Sequence, residues 1–278
     1  MTSTKAFSER IDLLRKAIAE ADSILIGAGS GLSTAAGLDY AGADFKREFA
    51  TEIERYGFTD LYSAGFYPYP TPEEFWAHWV KHIWFCRYRI GALPLYRQLH
   101  RLFPNAFVVT TNVDAQFAKA GFPADSTFAT QGDYGYFQPA SGSPKTLVSN
   151  HEWVERTLPL IQDCRIPTEN IPTMPDGSPA AVNLRSDDTF VEDFRWHQQS
   201  RRYTTFVEEA AQGRLLLLEF GIGYNTPGII RLPFEQMAQR FPHTTLVRFN
   251  RDHPEPYIQD IPHFISFTED IEYVLNSL

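Results

Sequence analysis

Four stretches of this 278-residue chain carry residue types that could do chemistry. In the first, a short apolar run, Ser23–Ile26, breaks into four glycines within eleven residues: Gly27, Gly29, Gly31 and Gly37. A small-residue helical start, Ser33–Ala36, lies among them. A strand running into such a loop lets the backbone approach a pyrophosphate, and the helix after it offers free N–H groups and a positive dipole end. A tight strand-to-helix turn with no ligand also fits glycine spacing. This run is denser and smaller in side chain than a turn needs, so it predicts a nucleotide site. The other three stretches are Thr110-Thr111-Asn112-Val113-Asp114, Gln131-Gly132-Asp133-Tyr134-Gly135 and Phe220-Gly221-Ile222-Gly223-Tyr224-Asn225-Thr226-Pro227. Each follows a short strand-forming run, and strands that end in polar residues put a ligand at the C-terminal edge of a parallel sheet.

Metal chemistry has little support. His78 and His82 lie one turn apart on one helical face, a spacing that permits two ligands. Glu74 would sit roughly 12 Å along the axis from His82, too far to share an ion with it. The two cysteines, Cys86 and Cys164, are too few for a four-cysteine zinc site and read as buried, idle thiols. A net charge of −9 argues against a nucleic-acid surface. No apolar run reaches the ~18 residues of a spanning helix, and Met1–Arg10 lacks a secretory pattern, so a cytoplasmic protein is expected.

The elements needed to position these stretches alternate between helix and strand. Phe7, Ile11, Leu14 and Ile18 predict an amphipathic helix over Ser8–Ala21, feeding a strand at Ile24–Ile26. Aromatic residues cluster in Tyr62–Tyr69, a helical lid that could both pack and close over a ligand. Thr71-Pro-Glu-Glu74 is a helix start: Thr71 can cap, Pro72 suits the first turn, and Glu74 can reach back to the cap backbone. That helix should run to about Ile90, and a second, after Gly91 and Pro94, to near Phe103. Ala106–Thr110 and Thr127–Thr130 are short strands around a helix at Ala115–Ala120. Tyr136 to Asp188 is proline-punctuated and reads as a loop-rich module, followed by a helix around Tyr203–Gln212. Arg214–Glu219 is a buried strand with four consecutive leucines. A helix at Pro233–Arg240, a strand at Thr244–Asn250 and a helix near Thr268–Leu275 complete the order. The expected class is α/β, a Rossmann-like parallel sheet built from residues 1–38, 106–134 and 213–278. Residues 39–105 form a helical insertion or cofactor lid, and 135–212 a small module.

Taken together, these strand ends resemble the sirtuin family. Gly29-Ser30-Gly31-Leu32-Ser-Thr-Ala35-Ala-Gly-Leu38 is similar to the opening of the sirtuin NAD site and the helix after it. Asp39-Tyr40 falls where sirtuins carry an acidic–aromatic pair, without the flanking proline and arginine. Thr110-Thr111-Asn112-Val113-Asp114 resembles the family's threonine–glutamine–asparagine–isoleucine–aspartate segment. Gly221-Ile-Gly223-Tyr224-Asn225-Thr226-Pro227 sits where sirtuins grip phosphate and ribose, and Asn250, followed by Arg251, ends the adenosine-ribose strand. Two departures mark the subgroup: Gln131-Gly132 replaces a histidine–glycine pair, and the four zinc cysteines are absent. Gln131–Gly135, Gly223–Pro227 and Asn183–Asp193 resemble instead the macrodomain-linked, class M sirtuins. The bacterial small modules of that group often keep cysteines, so the chain departs from the pattern even there, and its module is expected to hold by packing without zinc. That resemblance implies a protein ADP-ribosyltransferase using NAD. It also implies a protein acceptor, a lipoyl-carrier protein in known bacterial members, and a macrodomain hydrolase as partner.

The residues constrain the chemistry further. Gln131 cannot take a proton near neutral pH as the sirtuin histidine does, but it can orient a ribose or an acceptor. Cleaving the nicotinamide bond needs less base help, because the leaving group is neutral and the transition state resembles an oxocarbenium ion. By resemblance, Asn112 orients the nicotinamide ribose and a water, and Asp114 holds the carboxamide. Each residue has a plainer role open to it: Asn112 could cap a helix starting near Asp114, Gln131, Asp133, Tyr224 and Asn225 could shape turns, and Arg185, Asp187, Asp188 and Glu192 could form a solvated face. Transfer to a protein is the leading expectation. An NAD glycohydrolase and a non-catalytic NAD or ADP-ribose sensor are the alternatives, and residual deacylation is weaker.

Overall fold

A computed structural model describes residues 5–224 and 227–278. Helix α1 (Phe7–Glu20) leads into strand β1 (Ser23–Ala28) and helix α2 (Ser30–Ala35), which starts three residues earlier than its small side chains suggest. Three short helices follow, α3 (Ala43–Glu48), α4 (Ala50–Tyr56) and α5 (Leu61–Ala64), then α6 (Pro72–Ile83) and α7 (Pro94–Leu102). Strand β2 (Phe107–Thr110), helix α8 (Gln116–Ala120) and strand β3 (Thr127–Ala129) return to the sheet. The smaller module holds β4 (Gly132–Pro139), β5 (Val148–Ser149), α9 (His151–Thr157) and β6 (Ala180–Leu184). Helix α10 (Phe194–Ala210) then precedes β7 (Leu215–Phe220), α11 (Arg231–Arg240), β8 (Thr244–Phe249), β9 (Phe264–Phe267) and α12 (Ile271–Asn276).

The main sheet is parallel throughout, in the order β3-β2-β1-β7-β8-β9. Strand β1 lies at its centre, with its successor β2 on one side and β7 on the other, so the strand order reverses there. That reversal opens a crevice beyond the strand C-termini. The consecutive leucines of β7 alternate between two cores. Leu216 and Leu218 join Ile26, Val108 and Val247 on the face toward the helical region. Leu215 and Leu217 join Leu25, Val109 and Leu246 under α10 and α11. Full burial of each leucine stabilises the sheet by about 1.5–3 kcal/mol.

The stretch read as loop-rich contains an antiparallel sheet, β5-β4-β6. Strand β4 starts at Gly132, so it crosses the expected boundary at 134/135. Proline-rich turns masked this sheet, because short strands between them leave too few residues for a period-2 pattern. Strand β9 was missed for the same reason: Phe264–Phe267 is only four residues long. Thr71 does cap α6, accepting from the Glu74 N–H at 3.3 Å. The Glu74 carboxylate turns away from the cap and pairs with Arg55 at 3.0 Å, so the box closes on one side only. The helix continues past Ile83 as a π-turn over Trp84–Tyr88, in which the Arg89 N–H reaches the Trp84 carbonyl at 2.7 Å. No helix among the described residues is long and apolar enough to cross a membrane.

Candidate active site

Two cavities lie side by side along the crevice and share Ser30. One, of about 600 Å³, is lined by Ser30, Gly31, Ala35, Gly221, Gly223, Asn250 and Arg251 with neighbouring residues. The other, of about 200 Å³, is lined by Tyr40, Tyr62, Trp79, His82, Thr111, Asn112, Gln131, Tyr134 and Arg185 among others. The strand-end residues singled out from the sequence therefore converge on one cleft.

The glycines hold two loops in backbone contact. A Cβ on Gly31 would stand 2.7 Å from the Gly221 Cα, and one on Gly29 2.9 Å from the Gly221 carbonyl oxygen. Gly221 itself has φ +58°, and a side chain there would strike Gly31. The amides of Gly29 and Gly31 donate to the carbonyls of Phe220 and Gly221 at 3.0 and 3.1 Å. Those two N–H groups are thus engaged within the protein. Gly27 serves packing: a Cβ there would meet Ile230 and Phe234 of the α11 segment. Leu32 is fully buried and lines neither cavity.

Beneath the smaller cavity lies a buried polar network. The Thr110 hydroxyl donates to the Ala28 carbonyl at 3.0 Å and accepts from the Asn112 N–H at 3.0 Å, which fixes the end of β2 against β1. The Asn112 amide nitrogen lies 2.9 Å from the Gly29 carbonyl, 3.1 Å from the Tyr96 hydroxyl and 3.2 Å from the Ser33 hydroxyl. The Ser33 hydroxyl donates to Asp114 at 2.6 Å, and the other Asp114 oxygen accepts from the Gln116 N–H at 2.9 Å. Asp114, not Asn112, thus satisfies the start of α8. Burial pushes the Asp114 carboxyl up from its ordinary value, opposed by these hydrogen bonds. Asp114 lines neither cavity. Ser33 and Tyr96 reach Asn112 from α2 and α7, and neither is marked as a site residue by its place in the sequence.

Gln131 is held by its backbone. Its carbonyl accepts from the Arg185 N–H at 2.9 Å. Gly132 adopts φ +99°, with the space for a Cβ taken by the Asn183 carbonyl at 2.3 Å. Asp133 pairs with Arg87 of the π-turn at 2.8 Å, so it is more than a turn residue. The Gln131 carboxamide makes no hydrogen bond among the described residues and faces the cavity it lines. Arg185 joins the cavity wall too, paired with Glu192 at 2.5 Å and stacked over Phe190.

On the far side, Asn250 donates to the Ile222 carbonyl at 2.8 Å and accepts from the His253 N–H at 2.9 Å, tying two loops together. Arg251 is exposed and pairs with Asp252. Tyr224 packs on His253, with ring centroids 4.0 Å apart. Asn225 and Thr226 lie outside the described residues. Asp39 is exposed and lines neither cavity; its carboxylate accepts from the Ala41 N–H at 2.9 Å in a local turn. Tyr40, beside it, does line the smaller cavity, and burial pushes its phenol up. The aromatic lid divides: Tyr62 and Phe66 stay exposed at the cavity mouth, while Tyr67 and Tyr69 pack with Tyr56 and Phe58. His78 and His82 touch each other, 3.3 Å between ring nitrogens. Among the described residues no group of three or more potential ligands could hold a metal ion.

No family model matches the chain. It is 32% identical over 248 residues to a protein ADP-ribosyltransferase of Staphylococcus aureus, covering 88% of this chain and 79% of that one. A probable bifunctional ADP-ribose hydrolase/ADP-ribosyltransferase of Fusarium oxysporum is 29% identical, and the match spans 40% of its length. Among solved structures, a sirtuin determined to explain substrate affinity superposes with a TM-score of 0.62 at 16% identity, over 99% of this chain and 98% of that one. A Sir2–p53 peptide–NAD+ complex superposes with a TM-score of 0.53 at 16% identity, over 98% and 97%. The parallel sheet, the cleft at its reversal point and the shared sequence lead to one conclusion: the chain belongs to the protein ADP-ribosyltransferases built on the sirtuin fold.

Proposed function

We propose that the protein cleaves the nicotinamide bond of NAD and transfers ADP-ribose to a protein side chain. The observation that carries this reading is Gln131, whose backbone is fixed on both sides while its carboxamide stays unbonded at the cavity wall beside Asn112. NAD supplies an activated glycosidic bond whose leaving group departs uncharged, so positioning and electrostatics can carry the reaction. Asn112, locked by Gly29, Ser33 and Tyr96, presents its carbonyl oxygen toward the ribose and orients it. Gln131 orients the ribose or the acceptor by hydrogen bonding alone. Asp114 lines neither cavity and accepts from Ser33, so we assign it a positioning role through Ser33 in place of contact with the carboxamide. The Gly31–Gly221 contact shapes the floor under the diphosphate, and Asn250, Arg251 and Tyr224 border the adenosine side.

The core at residues 1–38, 106–134 and 213–278 carries the cofactor, the 39–105 segment covers it, and the 135–212 module completes the acceptor side. The lipoyl-carrier acceptor and the macrodomain partner are finer readings that come from the family resemblance. The bifunctional name of the fungal relative supports the second. Isotopically labelled NAD, incubated with the protein and a lysate from its own source, tests the proposal. Label on a protein, lost in Asn112→Ala and Gln131→Ala, is the expected result. Free ADP-ribose as the sole product would move the assignment to a glycohydrolase, and NAD binding with no nicotinamide release to a sensor. If a lipoyl-carrier domain added to this mixture stays unlabelled while another protein is modified, the lipoyl reading is wrong.

A further inference from the structure

Deep in the smaller cavity is a group that the transfer reaction, as drawn above, leaves unused. His82 lines this cavity yet is only 1% exposed. Its Nδ1 faces the Nε2 of His78 at 3.3 Å, and its own Nε2 has no hydrogen-bond partner. A buried ring nitrogen without a partner costs about 1–3 kcal/mol, which a bound ligand group of the right kind would recover. The ring is held firmly: it stacks on Trp79 (centroids 5.0 Å apart, 11° between planes) and meets Tyr134 edge-on at 5.0 Å and Tyr40 at 6.0 Å.

The surroundings of His78 decide which way the shared proton points. The second His78 nitrogen, Nδ1, also has no hydrogen-bond partner, and the ring lies among Phe49, Phe58, Tyr69 and Trp79. Aromatic faces are electron-rich, so an N–H directed among them is favoured over a lone pair. With the proton on His78 Nδ1, His78 Nε2 is an acceptor and His82 Nδ1 must be the donor. His82 Nε2 is then a bare acceptor and calls for an N–H from the ligand. The pair is unsuited to act as a base, because burial lowers His82 to about 3 and holds both rings neutral. A neutral pair suits a cavity that receives a cationic pyridinium ring, and the lining includes the aromatic side chains of Trp79, Tyr40 and Tyr134.

We infer that His82 Nε2 accepts a hydrogen bond from the carboxamide NH2 of the bound nicotinamide ring, making His82 a specificity-determining residue of the cleft. This rests on the reading that NAD occupies the cleft. The test is equilibrium calorimetry with NAD and with its acetylpyridine analogue, in which a methyl ketone replaces the amide and the donor is lost. The wild-type protein should bind NAD about tenfold more tightly than the analogue, the range of one hydrogen bond to a buried group. In His82→Phe, which keeps an aromatic ring, the ratio should fall to about one. In His82→Gln, whose carbonyl can reach the same place, part of the preference should return. Melting curves identify which variants are folded, and either folded variant suffices for the comparison. An unchanged tenfold preference in His82→Phe, or in wild type no preference at all, overturns the assignment while leaving NAD binding intact. No binding of NAD by wild type would overturn the underlying reading and this one with it.

Discussion

Lowering the pH should expose the energetic cost of the two buried imidazoles. The His82 ring is fully buried and its pKa falls from 6.5 to about 3; His78 is lowered as well, first by burial and then by the charges of His82 and Lys81. Below pH 6.5 the unfolded chain takes up a proton on each ring and the folded chain does not. Stability is therefore full above that value and declines as pH falls toward 3. At pH 5, a gap of about 1.5 units at about 1.4 kcal/mol per unit makes His82 alone worth about 2 kcal/mol. Glu269, held low by the Arg10 guanidinium, and Asp44, held low by Arg89, act in a separate window, since their contribution is lost only as pH falls below about 4.5. Urea unfolding of wild type and His82→Gln at pH 7.5, 6 and 5 measures the difference. Wild type should lose about 2 kcal/mol more than the variant between pH 7.5 and 5. Parallel losses in the two proteins would refute the reasoning.

Other perturbations separate packing from chemistry. Gly31→Ala forces a Cβ to within 2.7 Å of the Gly221 backbone, which no rotamer change can relieve. It should cost about 2 kcal/mol and weaken NAD binding, both readable from melting curves with and without NAD. Arg248→Met leaves Glu219 and Glu235 buried with Arg231, whose groups lie no nearer than 3.7 Å to either carboxylate. A loss of about 3–5 kcal/mol in urea unfolding is expected, and a neutral outcome would mean that Arg231 moves in to replace it. Asn112→Ala should lose nicotinamide release together with about 1–3 kcal/mol of stability, since three buried partners lose a donor. Gln131→Ala should lose activity alone, within about 0.5 kcal/mol of wild type in stability.

What could be read from the chain follows from how local each signal is. Gly31 and Gly221 stand out because close backbone approach excludes every other residue, and Asn112 and Gln131 lie where strands give way to polar ends. Strand β7 declares itself by four leucines with two buried faces. Ser33 and Tyr96 stay hidden because they act through contacts 16 to 81 residues apart in sequence, and nothing nearby distinguishes them from core residues. His82 shows the opposite difficulty. Its spacing from His78 is visible and permits two metal ligands, yet the two rings face each other and His82 lines a cavity, a distinction that only the packing of α6 against Tyr40 and Tyr134 creates. Asp39 accepts from the Ala41 N–H in a local turn and stays in solvent, a placement that its sequence neighbours alone do not reveal.

The cleft also dictates how catalysis should depend on pH, and here Gln131 is decisive. Neither Gln131 nor Asn112 titrates. His82 is held neutral down to about 3, while burial pushes Tyr40 and Tyr134 upward, away from neutrality. Asp114 titrates behind the wall, engaged by Ser33 and Gln116. Nicotinamide release at saturating NAD should therefore be level between pH 6 and 8, changing by less than about twofold. Gln131→His places an imidazole at a buried position with no protein partner to stabilise its charge, so burial should hold its pKa below the ordinary value and the rate should acquire an inflection there. Water or a hydroxyl acceptor would benefit most, because each must surrender a proton during attack, whereas an ionised carboxylate acceptor would gain nothing. The acceptor class can thus be read from the variant: a rate that rises with pH through the new inflection means a proton-bearing nucleophile, and a level one means a carboxylate. A wild-type profile that already bends near neutrality would show that a titrating group reaches the ribose, and the base-free reading of this cleft would be wrong.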